Sequence, residues 1–120
     1  MNSAELRIKA LALNISATDL AAKFETDLDS THHWLQDGDV PLSVAVEIEE
    51  MWQRRIQRVD EVIELAEELG HAELISYAQD EDCAHLGMTA ADHAHLLSQV
   101  ITALELSDIP YQVTLVGTFD

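Results

Sequence analysis

The pattern that most limits the fold lies in the middle of the chain, between residues 43 and 69. Apolar side chains recur there at spacings of 4, 4, 3, 4 and 3, at Ile48, Trp52, Ile56, Val59, Ile63 and Ala66. That period places them on one face of an α-helix. Gly70 follows at the position where a glycine ends many helices. The sequence therefore predicts one long amphipathic helix over 43–69, with separate structure on either side of it.

Three shorter helices are predicted before it. Asn2 can cap a helix over 3–13. Ser16 can cap a second helix, because an acidic residue stands three positions later in the usual capping pattern. A third helix is predicted over Asp29–Gln36, and Gly38 is placed to end it. The first 41 residues therefore favour a small helical bundle.

After Gly70 the pattern changes to that of an α/β module. Residues 72–78 and 111–119 are rich in β-branched and aromatic side chains, which favours strands. Between them an acidic loop is predicted over 79–85. Thr89 can then cap a helix, which carries an apolar stripe. The C-terminal part is therefore predicted to be strand, helix, strand.

Motifs in the first part resemble a known family of DNA-binding proteins. Ser16 is followed by Leu20-Ala21-Ala22-Lys23-Phe24, and Trp34 stands ten residues after Phe24. This pattern is similar to the lambda-repressor-like (Cro/C1-type) helix-turn-helix family, and the layout of the chain is closest to the YdiL-like regulators. The resemblance implies that the third helix enters the major groove of DNA. The DNA contacts that it implies are Thr18, Lys23, Ser30, Thr31, His32 and His33.

The end of the third helix departs from the family pattern. The run from Trp34 to Gly38 is one residue longer than in the family. Two interpretations follow: the turn is extended, or Leu35 is the buried residue and Trp34 faces outward. The third helix also has no Lys or Arg, so it lacks the commonest side chain for contacting guanine.

Together these patterns predict a mostly helical α+β protein. Residues 1–69 are expected to form a helix-turn-helix domain with a long connecting helix, and residues 70–120 an α/β dimerisation module. Two strands and one helix make a small core, and pairing of strand 111–117 across a two-fold axis would extend the sheet. The dimer interface is predicted at Leu97, Ile101, Leu104, Tyr111, Val113 and Leu115.

Charge limits the partners that such a protein can bind. The chain carries 23 acidic and 6 basic residues, a formal net charge of −17, and all six basic residues lie before residue 59. Residues 71–120 should therefore repel nucleic acid and anionic membranes. A host adapted to high salt offers another explanation, because such hosts acidify their proteins generally.

The predicted function is that of a transcriptional regulator which reads a short palindromic operator in double-stranded DNA as a homodimer. The alternative is a degenerate helix-turn-helix protein without DNA affinity, acting as a protein-binding adaptor that can mimic DNA. For the regulator, two-fold symmetry would combine the few cations of each copy.

Other function classes lack supporting motifs. No apolar run is long enough for a membrane span, and residues 1–9 lack a signal peptide, so the protein is predicted to be cytoplasmic. No phosphate-binding loop or hydrolase motif is present, and no enzyme activity, cofactor or small-molecule ligand is expected. No metal site is expected either, because His93 and His95 diverge by about 200° on a helix. Cys83 is the only cysteine, which excludes an intramolecular disulfide.

Overall fold

The computed structural model describes residues 1–36 and 38–119. It confirms a mostly helical α+β fold. In chain order, the described residues form α1 (Ser3–Ala12), α2 (Ala17–Lys23), α3 (Leu28–Gln36), α4 (Leu42–Leu69), β1 (Ala72–Tyr77), a 3-10 helix (Asp80–Leu86), α5 (Ala90–Leu106) and β2 (Tyr111–Val116). Within these ranges, no helix is both long enough and apolar enough to cross a membrane.

The predicted N-terminal caps are confirmed at three helices. The side chains of Asn2, Ser16 and Thr89 each accept a hydrogen bond from the backbone N–H three residues later, at 2.8, 3.1 and 3.1 Å. At α2 the pairing is reciprocal, since the Asp19 carboxylate also accepts from the Ser16 backbone N–H at 2.9 Å. These bonds satisfy backbone donors that have no partner inside a helix, and they explain why the helices begin where the sequence predicts.

Within the described residues, three helices end on a residue other than glycine in the left-handed backbone region. Asn14, Glu25 and Asp108 have φ angles of 59°, 50° and 55°. After Glu25 the backbone N–H of Thr26 donates to Ala21 O at 3.0 Å, which is the bond of a Schellman cap. Glu25 therefore takes the position where glycine is usual, and the cap reverses the chain between α2 and α3.

The chain forms two compact units, Met1–Arg54 and Arg55–Asp120, so that α4 contributes to both. The sequence-based domain boundary after residue 69 lies 15 residues later along the chain. The two units are defined by contacts within the fold. That either predicted domain folds independently stays a prediction.

The core of the first unit lies between its helices. Its buried members come from α1, α2, α4 and the residues just after α1, and they are Leu6, Leu13, Leu20, Val44 and Ile48. Trp34 and Leu35 are both half-buried against this core, and the Trp34 ring meets Phe24 edge to face at 6.2 Å. The interpretation in which Leu35 is buried and Trp34 faces outward is therefore wrong, because both side chains pack against this core. The proposed extension of the turn involves Asp37, which lies outside the described residues.

The second unit contains a two-stranded parallel sheet with α5 as the crossover. Ala72 pairs with Tyr111, and the register continues to Tyr77 opposite Val116. Its buried core consists of Ala66, Leu74, Val100 and Leu104. Two details differ from the sequence prediction: the acidic loop contains a 3-10 helix over Asp80–Leu86, and β2 ends at Val116 rather than 119.

Candidate functional site

Thr31 lies on the buried face of α3. Its side chain is 0% exposed, and its hydroxyl donates to Leu28 O at 2.8 Å. Because the helix backbone satisfies the hydroxyl, a threonine can occupy this buried position without leaving a donor unpaired. The prediction that Thr31 contacts DNA is therefore corrected: Thr31 anchors the helix from inside.

The outward face of α3 carries the two predicted histidines. His32 and His33 are exposed, and Ser30 is half-buried. The His33 ring lies against Gly38, where an added Cβ would come within 2.2 Å of the ring. Glycine at this position therefore permits the observed placement of His33. His32 and His33 are therefore the predicted contacts on α3 that a ligand can reach, whereas Ser30 lies about 200° around the helix from His32.

The two predicted contacts on α2 are also at the surface. Thr18 and Lys23 are exposed. However, the Lys23 ammonium lies 3.3 Å from a carboxylate oxygen of Glu47, on α4. A cation already paired with a carboxylate must leave that partner before it can neutralise a phosphate. Lys23 is therefore accessible but is not a free charge.

Lys9, the other lysine of the first unit, is paired more closely. Its ammonium contacts the carboxylates of Glu49 and Glu5, and it lies 5.6 Å from the centre of the Trp52 ring. The hydrogen bond from Lys9 lowers the pKa of Glu49, and the same bond raises the pKa of Lys9. Both groups therefore stay ionised near neutral pH. The positive charge of Lys9 is already paired with carboxylates.

Acidic groups stand at the start of α3. The Asp27 carboxylate accepts a hydrogen bond from the Ser30 backbone N–H at 2.6 Å. This bond lowers the pKa of Asp27, so its negative charge persists at neutral pH. Asp29 beside it is exposed. The beginning of α3 is thus an acidic surface.

Acidic residues outnumber basic residues in the first unit. Residues 1–54 contain ten acidic and four basic residues, a net −6. Arg7 and Arg54 are exposed and form no salt bridge within the part of the chain that the structure describes. Sequence reasoning missed the pairing of the lysines, because each glutamate partner on α4 is remote in sequence.

The structure divides the predicted dimer residues into two groups. Leu97, Ile101 and Tyr111 pack against the second core, and Leu104 is fully buried within it. Leu104 is therefore corrected from an interface residue to a core residue, because a side chain with no exposed surface in one copy cannot contact another. Val113 and Leu115 are 46% and 48% exposed, and they remain available for association.

His93 is a polar residue in the core region of the second unit. It is buried, and its Nδ1 atom has no hydrogen-bond partner among the described residues. Its ring meets Tyr77 edge to face at 5.0 Å, and Tyr77 also contacts His85. Burial lowers the pKa of His93, and the positive charge of Arg58 lowers it further. His93 is therefore neutral at physiological pH.

We expect this histidine to make the protein less stable in mild acid. Because the pKa of His93 is lower in the folded than in the unfolded state, the unfolded chain binds the proton first as the pH falls. Stability is thus fully present above about pH 6.5 and declines below it, towards the folded pKa. Urea unfolding at about pH 7.5 and about pH 5.5 measures the loss.

The matched variant for this measurement is His93→Phe, which keeps a ring beside Tyr77 but does not titrate. The two proteins share every other ionisable group, so the difference in pH dependence isolates His93. We expect the variant to lose less stability on acidification than wild type does. Equal losses in the two proteins would contradict the assignment.

Comparison with known proteins finds no matching family model and no curated protein with significant sequence similarity. The resemblance to lambda-repressor-like proteins therefore remains a prediction from the motifs.

Proposed function

We propose that the chain is a cytoplasmic helix-turn-helix regulator that binds duplex DNA with α2 and α3 as a homodimer. The observation that carries this proposal is the arrangement of these two helices. They are joined by the short segment 24–27, and α3 is anchored by Thr31 while His32 and His33 face outward. A short turn between two packed helices, with the second presenting its outer face, suits insertion into the major groove.

Charge sets the strength of this interaction. Proteins that neutralise 6–10 phosphates bind DNA with an affinity that falls steeply with salt, roughly as −0.9 per phosphate on logarithmic axes. The first unit has two arginines without a salt bridge within residues 1–36 and 38–119, and its lysines are paired with glutamates. We therefore expect weak binding that is measured best at low salt, with a salt slope smaller than that of proteins which neutralise about 6–10 phosphates.

Glu47 offers a direct test, because it pairs with Lys23. The variant Glu47→Gln keeps the shape of the side chain and releases the lysine for a phosphate. One additional phosphate contact should tighten binding roughly tenfold at ~50 mM salt. Fluorescence anisotropy with the promoter duplex of the protein's own gene measures this change.

Two controls define the result. Glu50→Gln removes the same charge from an exposed position on α4 and should tighten binding much less. Replacing His32 and His33 together with alanine should weaken binding, whereas His71→Ala, at an exposed position outside this unit, should not. If wild type and Glu47→Gln both bind the promoter no better than a random duplex, DNA binding is rejected.

A second candidate is an acidic adaptor that binds a basic protein surface. The observation that favours it is the acidic start of α3, where Asp27 is held ionised beside exposed Asp29. Such an adaptor would displace DNA from a basic DNA-binding protein in a salt-sensitive manner. Asp27→Asn with Asp29→Asn should weaken this displacement, whereas Asp60→Asn with Glu61→Gln should leave it unchanged. Displacement that both double variants retain would reject the start of α3 as the binding surface, and no displacement by wild type would reject the adaptor.

A further inference from the structure

We propose that two copies of the chain pair through β2, antiparallel to each other, with a two-fold axis at Thr114. The result is a four-stranded sheet in which each β2 lies between its own β1 and the β2 of the partner subunit. This inference deepens the proposed function by assigning the dimer surface. Its test contains no DNA, so a failure of DNA binding leaves it standing.

The first support is the exposure of β2. Val113 and Leu115 expose nearly half of their surface, and Phe119, shortly after the strand, exposes 71%. The principal neighbour of β2 is β1, whereas β1 also packs against α5 and the 3-10 helix. Apolar side chains of β2 thus lie uncovered, and every residue of this strand after Tyr111 is exposed.

The second support is the direction of the backbone groups. Pro110 O and Val116 O accept hydrogen bonds from the N–H groups of Ala72 and Ala78, at 3.0 and 2.9 Å. Backbone groups alternate in direction along a strand, so the even-numbered residues of β2 face β1. The N–H and C=O groups of Val113 and Leu115 therefore point to the open edge, where a further strand can pair.

The third support is the lack of protection at this edge. Exposed edge strands normally carry lysines, prolines or bulges that prevent pairing with other chains. From 111 to 116, β2 has no charged residue and no proline. An edge of this kind is suited to pairing.

Charge identifies a second copy as the occupant. The second unit contains thirteen acidic and two basic residues, a net −11. Residues 109–119 are uncharged throughout. Two polyanions can approach closely only where both lack carboxylates, and charges beyond ~8 Å are screened at physiological salt. Carboxylates lie at the two ends of β2, where Glu105 accepts a hydrogen bond from the Tyr111 hydroxyl and Asp82 lies beside Gly117. A basic partner would therefore be drawn to the ends of the strand, away from its centre.

The alternation also restricts the register. Outward-pointing residues must face one another in an antiparallel pair, so odd-numbered residues of one β2 oppose odd-numbered residues of the other. A two-fold axis at Thr114 meets this condition and places Val113 opposite Leu115 of the partner subunit, on the same face. It pairs residues 112–116 of the two strands, with Thr114 opposite Thr114 of the partner subunit at a Cα separation of about 4.5 Å.

Sedimentation of the full chain tests the dimer. At roughly 100 μM, a complex with a Kd of a few micromolar is nearly complete, and we expect twice the chain mass of 13.3 kDa. Leu115→Glu should give monomers, because it introduces a carboxylate opposite Val113 of the partner subunit. Leu106→Glu, at a position on α5 that is 83% exposed, adds the same charge and should remain dimeric. A monomeric wild type, or a Leu115→Glu variant that remains dimeric, overturns the proposal.

Crosslinking tests the register and does not depend on a disruptive variant. Thr114→Cys should form an intersubunit disulfide with oxidised glutathione, because the two positions meet at the axis. Gln112→Cys is the matched control: it lies opposite residue 116 of the partner subunit, so two copies of it are roughly 13 Å apart. Wild type controls for Cys83, which is fully buried. Equal crosslinking of the two variants, or none for Thr114→Cys, overturns the register.

Discussion

A fragment that begins at Arg55 is expected to fold by itself, whereas a fragment that begins at Gly70 is expected to remain unfolded. The C-terminal half of α4 supplies Ala66 to the second core, and Val59, Val62 and Ile63 pack around it. Burial of apolar surface stabilises a fold by roughly 25 cal/mol per Å². A fragment of about 50 residues that loses this part of its core has little stability to spare.

Circular dichroism melting and NMR chemical-shift dispersion of 55–120 and 70–120 distinguish these outcomes. The longer fragment should melt cooperatively and give dispersed amide signals, and the shorter one should do neither. A variant of the longer fragment, Ile63→Asp, should behave like the shorter fragment, because it places a carboxylate in the same core. If 70–120 instead folds cooperatively, the domain boundary after residue 69 is the correct one.

The second large effect is expected at Leu104. Truncation to alanine removes a fully buried side chain from the second core, so Leu104→Ala should lower the free energy of unfolding by about 2–5 kcal/mol. Denaturant unfolding measures this loss. Leu106→Ala makes the same chemical change on the same helix at an exposed position and should alter stability by less than about 0.5 kcal/mol.

Protein concentration separates a core role from an interface role at this residue. The loss in Leu104→Ala should persist under conditions where wild type is monomeric, because the contacts lie within one copy. A stability deficit that appears only where wild type is dimeric would return Leu104 to the interface.

Local signals predicted much of the fold. The caps at Asn2, Ser16 and Thr89 are formed by the residue itself and the backbone of the next turn, so the sequence contains everything they need. The apolar period of α4 likewise predicts a helix over nearly its full length. That period cannot show that Ile48 joins the first core and Ala66 the second, because both lie on one continuous stripe.

Long-range contacts decided what the sequence did not predict. The partners of Lys9 and Lys23 on α4 depend on how the helices pack, and no local pattern indicates these pairs. The burial of Thr31 could not be predicted either. The sequence shows a polar residue on α3 but does not show whether it faces the core or a ligand. As a result, the helices of the candidate site could be predicted, whereas its charge distribution could not.

The uncharged strand β2 also determines how the protein should be handled. Far from its isoelectric point, near pH 4.3, mutual repulsion keeps the proposed dimers apart from one another in solution. Near that pH the net charge vanishes, and in any copy that has left its dimer the open edge of β2 becomes a template for cross-β growth. The net negative charge of the chain therefore protects it from aggregation. Purification by isoelectric precipitation would bring copies together at the strand where irreversible assembly can begin.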